Sequence, residues 1–126
     1  MSEQFDSSRP IYAQLVERLK ARILAGTYQP GEHLDSVRDL AAAAGVNPNT
    51  MQRALAQLEA EDLVRTERTS GRFVTEDIDL IEQLRASAAR NIAADFLEKM
   101  RSIGYTPQQA AELLRSWNET EGKQHE

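Results

Sequence analysis

Three polar side chains within residues 47–55 have the chemistry needed to recognise base edges in DNA. Asparagine and glutamine can bind adenine through two hydrogen bonds, and arginine can bind guanine in the same way. Gln52 and Arg53 lie three and four residues after Asn49, so all three side chains project from one side of a helix. This pattern predicts a base-reading helix, and an ordinary amphipathic surface helix is the alternative explanation.

The residues around this polar face indicate where the helix begins and how it packs. Asn47 can cap the helix through its side-chain oxygen, and Pro48 suits a first turn, where its missing N–H would have no partner. The first three turns carry no acidic side chain, so the positive end of the helix dipole is free to face phosphates. The opposite face is an apolar stripe of Met51, Ala54, Leu55 and Leu58.

A short helix precedes the base-reading helix, and a hairpin follows it. Residues 36–44 begin with Ser36, a good N-cap, and end at Gly45, which fits a helix-turn-helix. Residues 63–75 predict two short strands joined by a Thr-Ser-Gly turn at 69–71. Three arginines and one glutamate give this hairpin a charge of +2, as in a wing that contacts the DNA backbone or minor groove. A solvated hairpin with incidental arginines is the alternative.

Residues 10–75 resemble the winged-helix domain of the GntR family of bacterial transcription regulators. The order and spacing of five segments carry the resemblance: Pro-Ile-Tyr-Ala-Gln at 10–14, then 26–32, 36–41, Val-Asn-Pro-Asn-Thr at 46–50, and 71–74. The remainder resembles the YtrA-type branch, whose C-terminal part is a pair of helices, here with Gly104-Tyr105 between them. The resemblance implies a mostly α-helical fold with a small β-hairpin wing: a winged helix-turn-helix followed by two C-terminal helices.

The chain departs from the family pattern at the start of the second helix and in the wing. Asp35 stands before Ser36, where the family usually has a proline. Thr69 replaces the first of two wing glycines, and Arg72 replaces a common threonine. The resemblance therefore does not fix the conformation of the wing.

The residues and the resemblance together predict a sequence-specific, cytoplasmic transcription regulator, a repressor that binds an inverted-repeat operator in double-stranded DNA as a homodimer. Arg38 matches a position that anchors the second helix to DNA in the family. The expected roles are base reading by Asn49, Gln52 and Arg53, phosphate contact by Arg38, Asn47 and Thr50, and wing contact by Arg68, Ser70, Gly71 and Arg72.

The net charge of −5 favours a different class of protein, an interaction module built on a winged helix that no longer binds DNA. Residues 1–75 hold nine Lys and Arg against ten Asp and Glu, whereas residues 76–126 hold six against ten. Most of the acidic excess therefore lies outside the predicted DNA-binding part, where it opposes phosphate binding least. This distribution favours DNA binding with modest non-specific affinity.

The C-terminal half predicts two amphipathic helices. The first is expected from about 77 to 103, where Gly104 ends it. The second begins with Thr106 as cap, Pro107 at the first position and Gln109 closing a capping box. Residues 118–126 are polar, and we expect them to fray.

The apolar stripes of these helices predict a homodimer, because each stripe must be buried and the longer one exceeds what a small domain covers. We expect residues 1–75 to form the DNA-binding domain and residues 76–126 a dimerisation segment. A helical hairpin folded back on a monomer is the alternative. The predicted dimer interface is Ile81, Leu84, Ala88, Ile92, Phe96, Met100, Leu113, Leu114 and Trp117.

The sequence contains few features typical of metal-binding proteins, enzymes or membrane proteins. There is no cysteine, and His33 and His125 stand apart from other metal-ligating residues, so neither a metal nor another cofactor is expected. No phosphate-binding loop, nucleophile elbow or 18-residue apolar run occurs, which argues against an enzyme and against a membrane protein. Whether a small effector binds is open; the candidate place is a groove between subunits near Phe96, Met100, Tyr105 and Trp117, and the alternative role of these residues is dimer core.

Overall fold

The computed structural model describes the backbone of residues 4–124 and the side chains of residues 4–120. The elements are α1 (Ile11–Ala25), α2 (Val37–Ala44), α3 (Pro48–Ala60), β1 (Val64–Glu67), β2 (Gly71–Val74), α4 (Ile78–Ser102) and α5 (Pro107–Gln124). The predicted fold class is confirmed. Two compact units are present, one ending at Arg85 and one beginning at Ala86. No helix within the described residues has both the length and the apolar character required to cross a membrane.

The predicted helix starts are confirmed by their hydrogen bonds. The Ser36 hydroxyl accepts from Asp39 N at 3.1 Å, and the Asn47 side-chain oxygen accepts from Asn49 N at 2.7 Å. The α5 capping box is complete: Thr106 Oγ1 accepts from Gln109 N, and Gln109 Oε1 accepts from Thr106 N. The α5 helix extends to Gln124, so helix replaces the frayed end that we expected from residue 118, while residues 125 and 126 lie outside the described range.

The wing is a regular antiparallel hairpin in which β1 pairs with β2 from Val64↔Val74 to Glu67↔Gly71. Its turn is therefore residues 68–70, one residue earlier than predicted, and Gly71 begins the second strand. Gly71 has φ +97°, a conformation that favours glycine, and a side chain there would meet His33 Nε2 at 3.0 Å, so the His33 ring would have to shift slightly. The His33 ring also contacts the Phe73 ring in a tilted arrangement, with ring centroids 4.8 Å apart, which ties the wing to the loop before α2.

The core of the first unit lies between α1, α2, α3 and the wing. The predicted stripe of α3 is fully buried in it. Ile81 in α4 is also only 6 % exposed and belongs to this core, with Leu84 packed against it. Ile81 was predicted to lie in a dimer interface, and this is corrected: its own chain already covers it. The core comprises Leu15, Val16, Leu19, Ile23, Leu34, Leu40, Ala41, Ala44, Met51, Ala54, Leu55, Leu58, Leu63, Val64, Val74 and Ile81.

Glu61 links the end of α3 to α1. Its carboxylate lies 2.5 Å from Lys20 Nζ and accepts a hydrogen bond from Gln57 Nε2 at 2.9 Å. Burial works to raise the pKa of Glu61, but the hydrogen bonds from Lys20 and Gln57 and the charge of Lys20 outweigh it. The pKa of Glu61 in the folded protein therefore lies below its ordinary value of 4.5.

A pKa lowered by folding means that the ionised carboxylate stabilises the fold above pH 4.5, and that this stability is lost as the pH falls through the lowered value. Glu61→Gln is expected to reduce the free energy of unfolding by about 0.2–1 kcal/mol at pH 7. Urea titrations at pH 7, 5 and 3 should show the difference from wild type shrinking with acidity. Glu82→Gln, in an exposed ion pair within α4, is the matched control. A deficit of constant size at all three pH values would contradict the role of the charge.

Candidate nucleic-acid interface

The three predicted base readers lie together on the exposed face of α3. Asn49, Gln52 and Arg53 are all solvent-exposed, whereas Thr50 is half-buried at the edge of the same face. Helix α3 has no acidic residue in its first turn and carries Pro48 at its start. The N-terminal end of α3 therefore exposes the side-chain hydrogen-bond donors of Asn49, Gln52 and Arg53, together with the positive end of the helix dipole.

Contacts on either side of α3 define which way this face points. On one side the Thr66 hydroxyl of β1 donates to the Glu59 carboxylate. On the other side Arg53 contacts Tyr12 of α1. Gln52 lies seven residues before Glu59, and residues seven apart nearly coincide around a helix, so Gln52 is on the wing side and Arg53 on the α1 side.

The capping bond of Asn47 determines what else this side chain can do. Its oxygen is engaged by Asn49 N, so the NH2 group is the part left to contact a phosphate. At the start of α2 the exposed Arg38 follows the Ser36 cap, but Asp39 stands in the same turn. The first turn of α2 therefore carries both a positive and a negative side chain, whereas the first turn of α3 carries no acidic side chain.

The arginines of the first unit fall into two groups by their partners. Arg9, Arg65 and Arg85 each pair with a glutamate carboxylate, and Arg18 and Arg22 also have partners. Four other guanidinium groups make neither a hydrogen bond nor an ion pair within the described residues; they are those of Arg38, Arg53, Arg68 and Arg72. These four are the arginines that the sequence predicted to contact DNA.

The predicted wing residues are placed at the accessible end of the hairpin. Arg68 and Ser70 are exposed in the turn, and Arg72 is half-buried on β2. Arg65, on β1, is held by Glu67 and also lies over the Phe73 ring, with Cζ 4.7 Å from its centroid. Among the described residues, the wing therefore has two arginines without an ion-pair partner, Arg68 in the turn and Arg72 on β2. Arg65, farther from the turn, is neutralised by Glu67.

One residue of this surface was missed in the sequence. The spacing of Tyr12 with the apolar residues Leu15, Leu19 and Ile23 predicts a buried position in α1, but Tyr12 is only half-buried. It lines an open groove of about 420 Å³ with Asn49, Thr50 and Arg53, and Pro10 and Ile11 complete the lining. The periodicity of α1 could not reveal this, because the groove depends on how α1 packs against α3.

The second unit carries most of the residues predicted for a dimer interface. Ile92 is 70 % exposed and Trp117 is 61 % exposed, and the exposed large side chains also include Leu97, Ile103, Tyr105, Leu113 and Leu114. Ala88, Phe96 and Met100 are half-buried. Leu97 was absent from the predicted set because it directly follows Phe96 and therefore lies off the main apolar stripe.

No group of three or more metal-ligating side chains occurs among the described residues. The fold is that of a winged helix-turn-helix protein. Residues 11–74 match the family model for bacterial regulatory proteins of the gntR family. The chain belongs to this GntR family, as its motifs predicted.

Relatives of known sequence agree over most of the chain. The chain is 33% identical over 119 residues to the uncharacterized HTH-type transcriptional regulator YhcF of Bacillus subtilis, covering 94% of this chain and 98% of that protein. It is 41% identical over 71 residues to the HTH-type transcriptional repressor YtrA of Bacillus subtilis, covering 56% and 55%. These similarities confirm the predicted resemblance to the YtrA-type branch.

Solved structures agree with the fold. A GntR family transcriptional regulator from Listeria monocytogenes matches with a TM-score of 0.82 and 38% identity, covering 89% of this chain and 98% of that one. AraR(DBD) in complex with operator ORR3 matches with a TM-score of 0.51 and 25% identity, covering 60% and 88%. The second match covers a smaller share of this chain.

Proposed function

We propose that this protein is a repressor that binds an inverted-repeat operator as a homodimer. Within each subunit Asn49, Gln52 and Arg53 read base edges in the major groove. Contacts to phosphates and the wing contacts fix the position of the protein on the duplex; they come from Arg38, Asn47, Thr50, Arg68, Ser70, Gly71 and Arg72. Double-stranded DNA is thus the partner, as an operator is the partner of the similar AraR domain.

The observation that carries this proposal is the set of unpaired guanidinium groups around α3 and the wing. A protein with a net charge of −5 has carboxylates available to neutralise its arginines, and elsewhere in the first unit it uses them. Four arginines of this unit have no hydrogen-bond or ion-pair partner among the side chains described, which keeps their donors available for phosphates and guanine. An interaction module without DNA would have no need of this arrangement.

The repressor and homodimer parts of the proposal have separate support. Repression is the activity in the name of the relative YtrA, which is 41% identical to this chain over 71 residues. A homodimer would cover the apolar side chains left exposed on α4 and α5, such as Ile92 and Trp117. A two-fold dimer would place two α3 helices on successive major grooves, which explains an inverted repeat.

No effector site is assigned. The groove between α4 and α5 within the second unit has a volume of about 240 Å³, and Ala94, Leu97, Glu98, Arg101 and Pro107 line it. This volume is smaller than the roughly 300–1,000 Å³ typical of ligand pockets. Its lining does not include Phe96, Met100, Tyr105 or Trp117, which were considered for a groove between subunits, and that groove stays a prediction.

The proposal is tested by selecting bound sequences from a random DNA pool and then titrating the selected duplex by fluorescence anisotropy at several salt concentrations. We expect an inverted repeat, and an affinity that falls steeply with salt because phosphate contacts release counterions. Arg68→Ala is expected to weaken binding to all sequences and to reduce the salt slope by about one per subunit.

Arg65→Ala is the matched control within the same wing, because Arg65 is already paired with Glu67. It should change the salt slope much less than Arg68→Ala. Equal effects of the two substitutions would contradict the importance of unpaired cations. A wild-type protein that selects no sequence and binds no duplex at low salt would leave the interaction module as the better explanation.

A further inference from the structure

Arg53 is held against an aromatic ring on the DNA-facing surface. Its Cζ atom lies 3.7 Å from the centroid of the Tyr12 ring, which is within the range of a cation–π contact. Tyr12 is half-buried and packs against the hydrophobic core, whereas Arg53 is exposed. The ring is thus anchored in the fold, and the guanidinium group rests on it.

This contact differs from the other arginine–aromatic contacts of the chain. Arg65 lies over Phe73 but also pairs with Glu67, and Arg18 lies over Phe5 but has a further partner. The contact with Tyr12 is the single polar or aromatic interaction of the Arg53 side chain within the described residues. Its position is therefore set by Tyr12, while no acceptor from the part of the chain that the structure describes occupies its N–H groups.

Stacking and hydrogen bonding use different parts of a guanidinium group. The face of the planar group contacts an aromatic ring, whereas the N–H donors lie in the plane and point outward from its edge. A ring beneath the face therefore restricts the plane of Arg53 without consuming a donor. Bidentate recognition of guanine O6 and N7 requires this plane to align with the base, so the restriction favours recognition.

We propose that Tyr12 is a specificity-determining residue, which positions Arg53 for one guanine in each half of the operator. This inference rests on the proposed DNA-binding function and deepens it. Tyr12 acts through Arg53, and the groove that it shares with Asn49 and Thr50 is where the flanking base and phosphate would lie. Fixing the guanidinium before binding lowers the entropy lost on binding, and limits the base positions that Arg53 can reach.

The test is a double-mutant cycle on the full chain, using the operator from the random-pool selection and variants of it with each base pair replaced in turn. Tyr12→Leu is expected to weaken binding by about 2- to 5-fold per half-site, the range of an exposed cation–π contact. The loss should be confined to the base pair whose preference disappears in Arg53→Ala. In the Arg53→Ala background, Tyr12→Leu should cause no further loss. Tyr12→Phe, which keeps the ring, should restore both affinity and preference.

Tyr28→Leu is the matched control, since Tyr28 is also half-buried against the same core but lies outside this groove. It should leave the base preference unchanged even if it lowers thermal stability. If Tyr12→Leu does not fold, the Arg53 Nε–H resonance of the wild-type protein decides: a ring-current shift that is retained in Tyr12→Phe supports the contact, and its absence overturns it.

The results of these experiments distinguish a failure of the proposed role of Tyr12 from a failure of the proposed DNA-binding function. A wild-type protein that selects no operator contradicts the proposed function. If the wild type binds and Arg53→Ala abolishes one base preference, but Tyr12→Leu leaves that preference intact, only the role of Tyr12 is overturned. A loss in Tyr12→Leu that adds fully to that of Arg53→Ala, or a failure of Tyr12→Phe to restore binding, would indicate that Tyr12 contacts DNA directly.

Discussion

An Ile92→Glu variant is expected to be monomeric and to bind the inverted-repeat operator about 100-fold or more weakly than the wild type, because linked binding of two half-sites is lost. Ile92 is 70 % exposed on α4, so glutamate there removes no contact within the first unit. Glutamate is also a good helix former, which preserves α4 itself. In the proposed dimer, by contrast, the glutamate of each subunit would be buried in the interface, where desolvation opposes assembly.

Sedimentation equilibrium and anisotropy measure the two parts of this expectation. Ile78→Glu is the matched control, because Ile78 is another exposed isoleucine of α4 but belongs to the first unit. It should remain dimeric and bind normally. Binding of the Ile92→Glu variant to an isolated half-site should match that of one wild-type subunit. A wild-type protein that sediments as a single subunit at high micromolar concentration would refute the dimer, and with it this explanation of the exposed stripe.

Replacing Arg53 with alanine is expected to cost about 1–3 kcal/mol for each guanine that it contacts, hence about twice that for a symmetric dimer. The loss should be specific: operators with that guanine replaced should bind wild type and variant almost equally. Arg53 is suited to this role because its N–H groups have no acceptor within the described residues, and because it lies on the same face as Asn49 and Gln52.

Two further variants define how Arg53 acts. Arg53→Lys keeps the charge but loses the planar pair of donors, so it should recover the salt dependence but not the preference for guanine. Arg85→Ala removes an exposed arginine that already pairs with Glu82, and it should leave DNA binding unchanged. A uniform loss of affinity for all sequences in Arg53→Ala, restored by lysine, would instead assign Arg53 to a phosphate.

The local elements of this chain were predictable because their signals lie within a few residues of each other. The start of α3 was indicated by Asn47 and Pro48, and the start of α5 by Thr106, Pro107 and Gln109. The hydrogen bonds of both caps are present. The apolar stripe of α3 is buried as its spacing required. The wing turn was misplaced by one residue, because the sequence alone did not show that Gly71 pairs with Glu67 and so belongs to the second strand.

The side of each helix that faces solvent was predictable, but not what covers the other side. Ile81 continues the apolar stripe of α4 in sequence, yet the first unit buries it and leaves Ile92 exposed. The periodic spacing of apolar residues predicts only that one face of a helix will be buried. The residues that bury it come from distant parts of the chain. The boundary between the units therefore falls inside α4, at Arg85, where no composition change marks it.

By itself the sequence determined the helix-turn-helix, the hairpin and the identity of the polar side chains on α3, since caps, periodicity and turn residues act between near neighbours. The tertiary structure alone decided which arginines are neutralised and which stay available, and it placed Tyr12 beneath Arg53. The physical reason is that ion pairs and ring contacts depend on distances of a few ångströms between separate elements. Those distances exist only once α1, α3 and the wing have packed around one core.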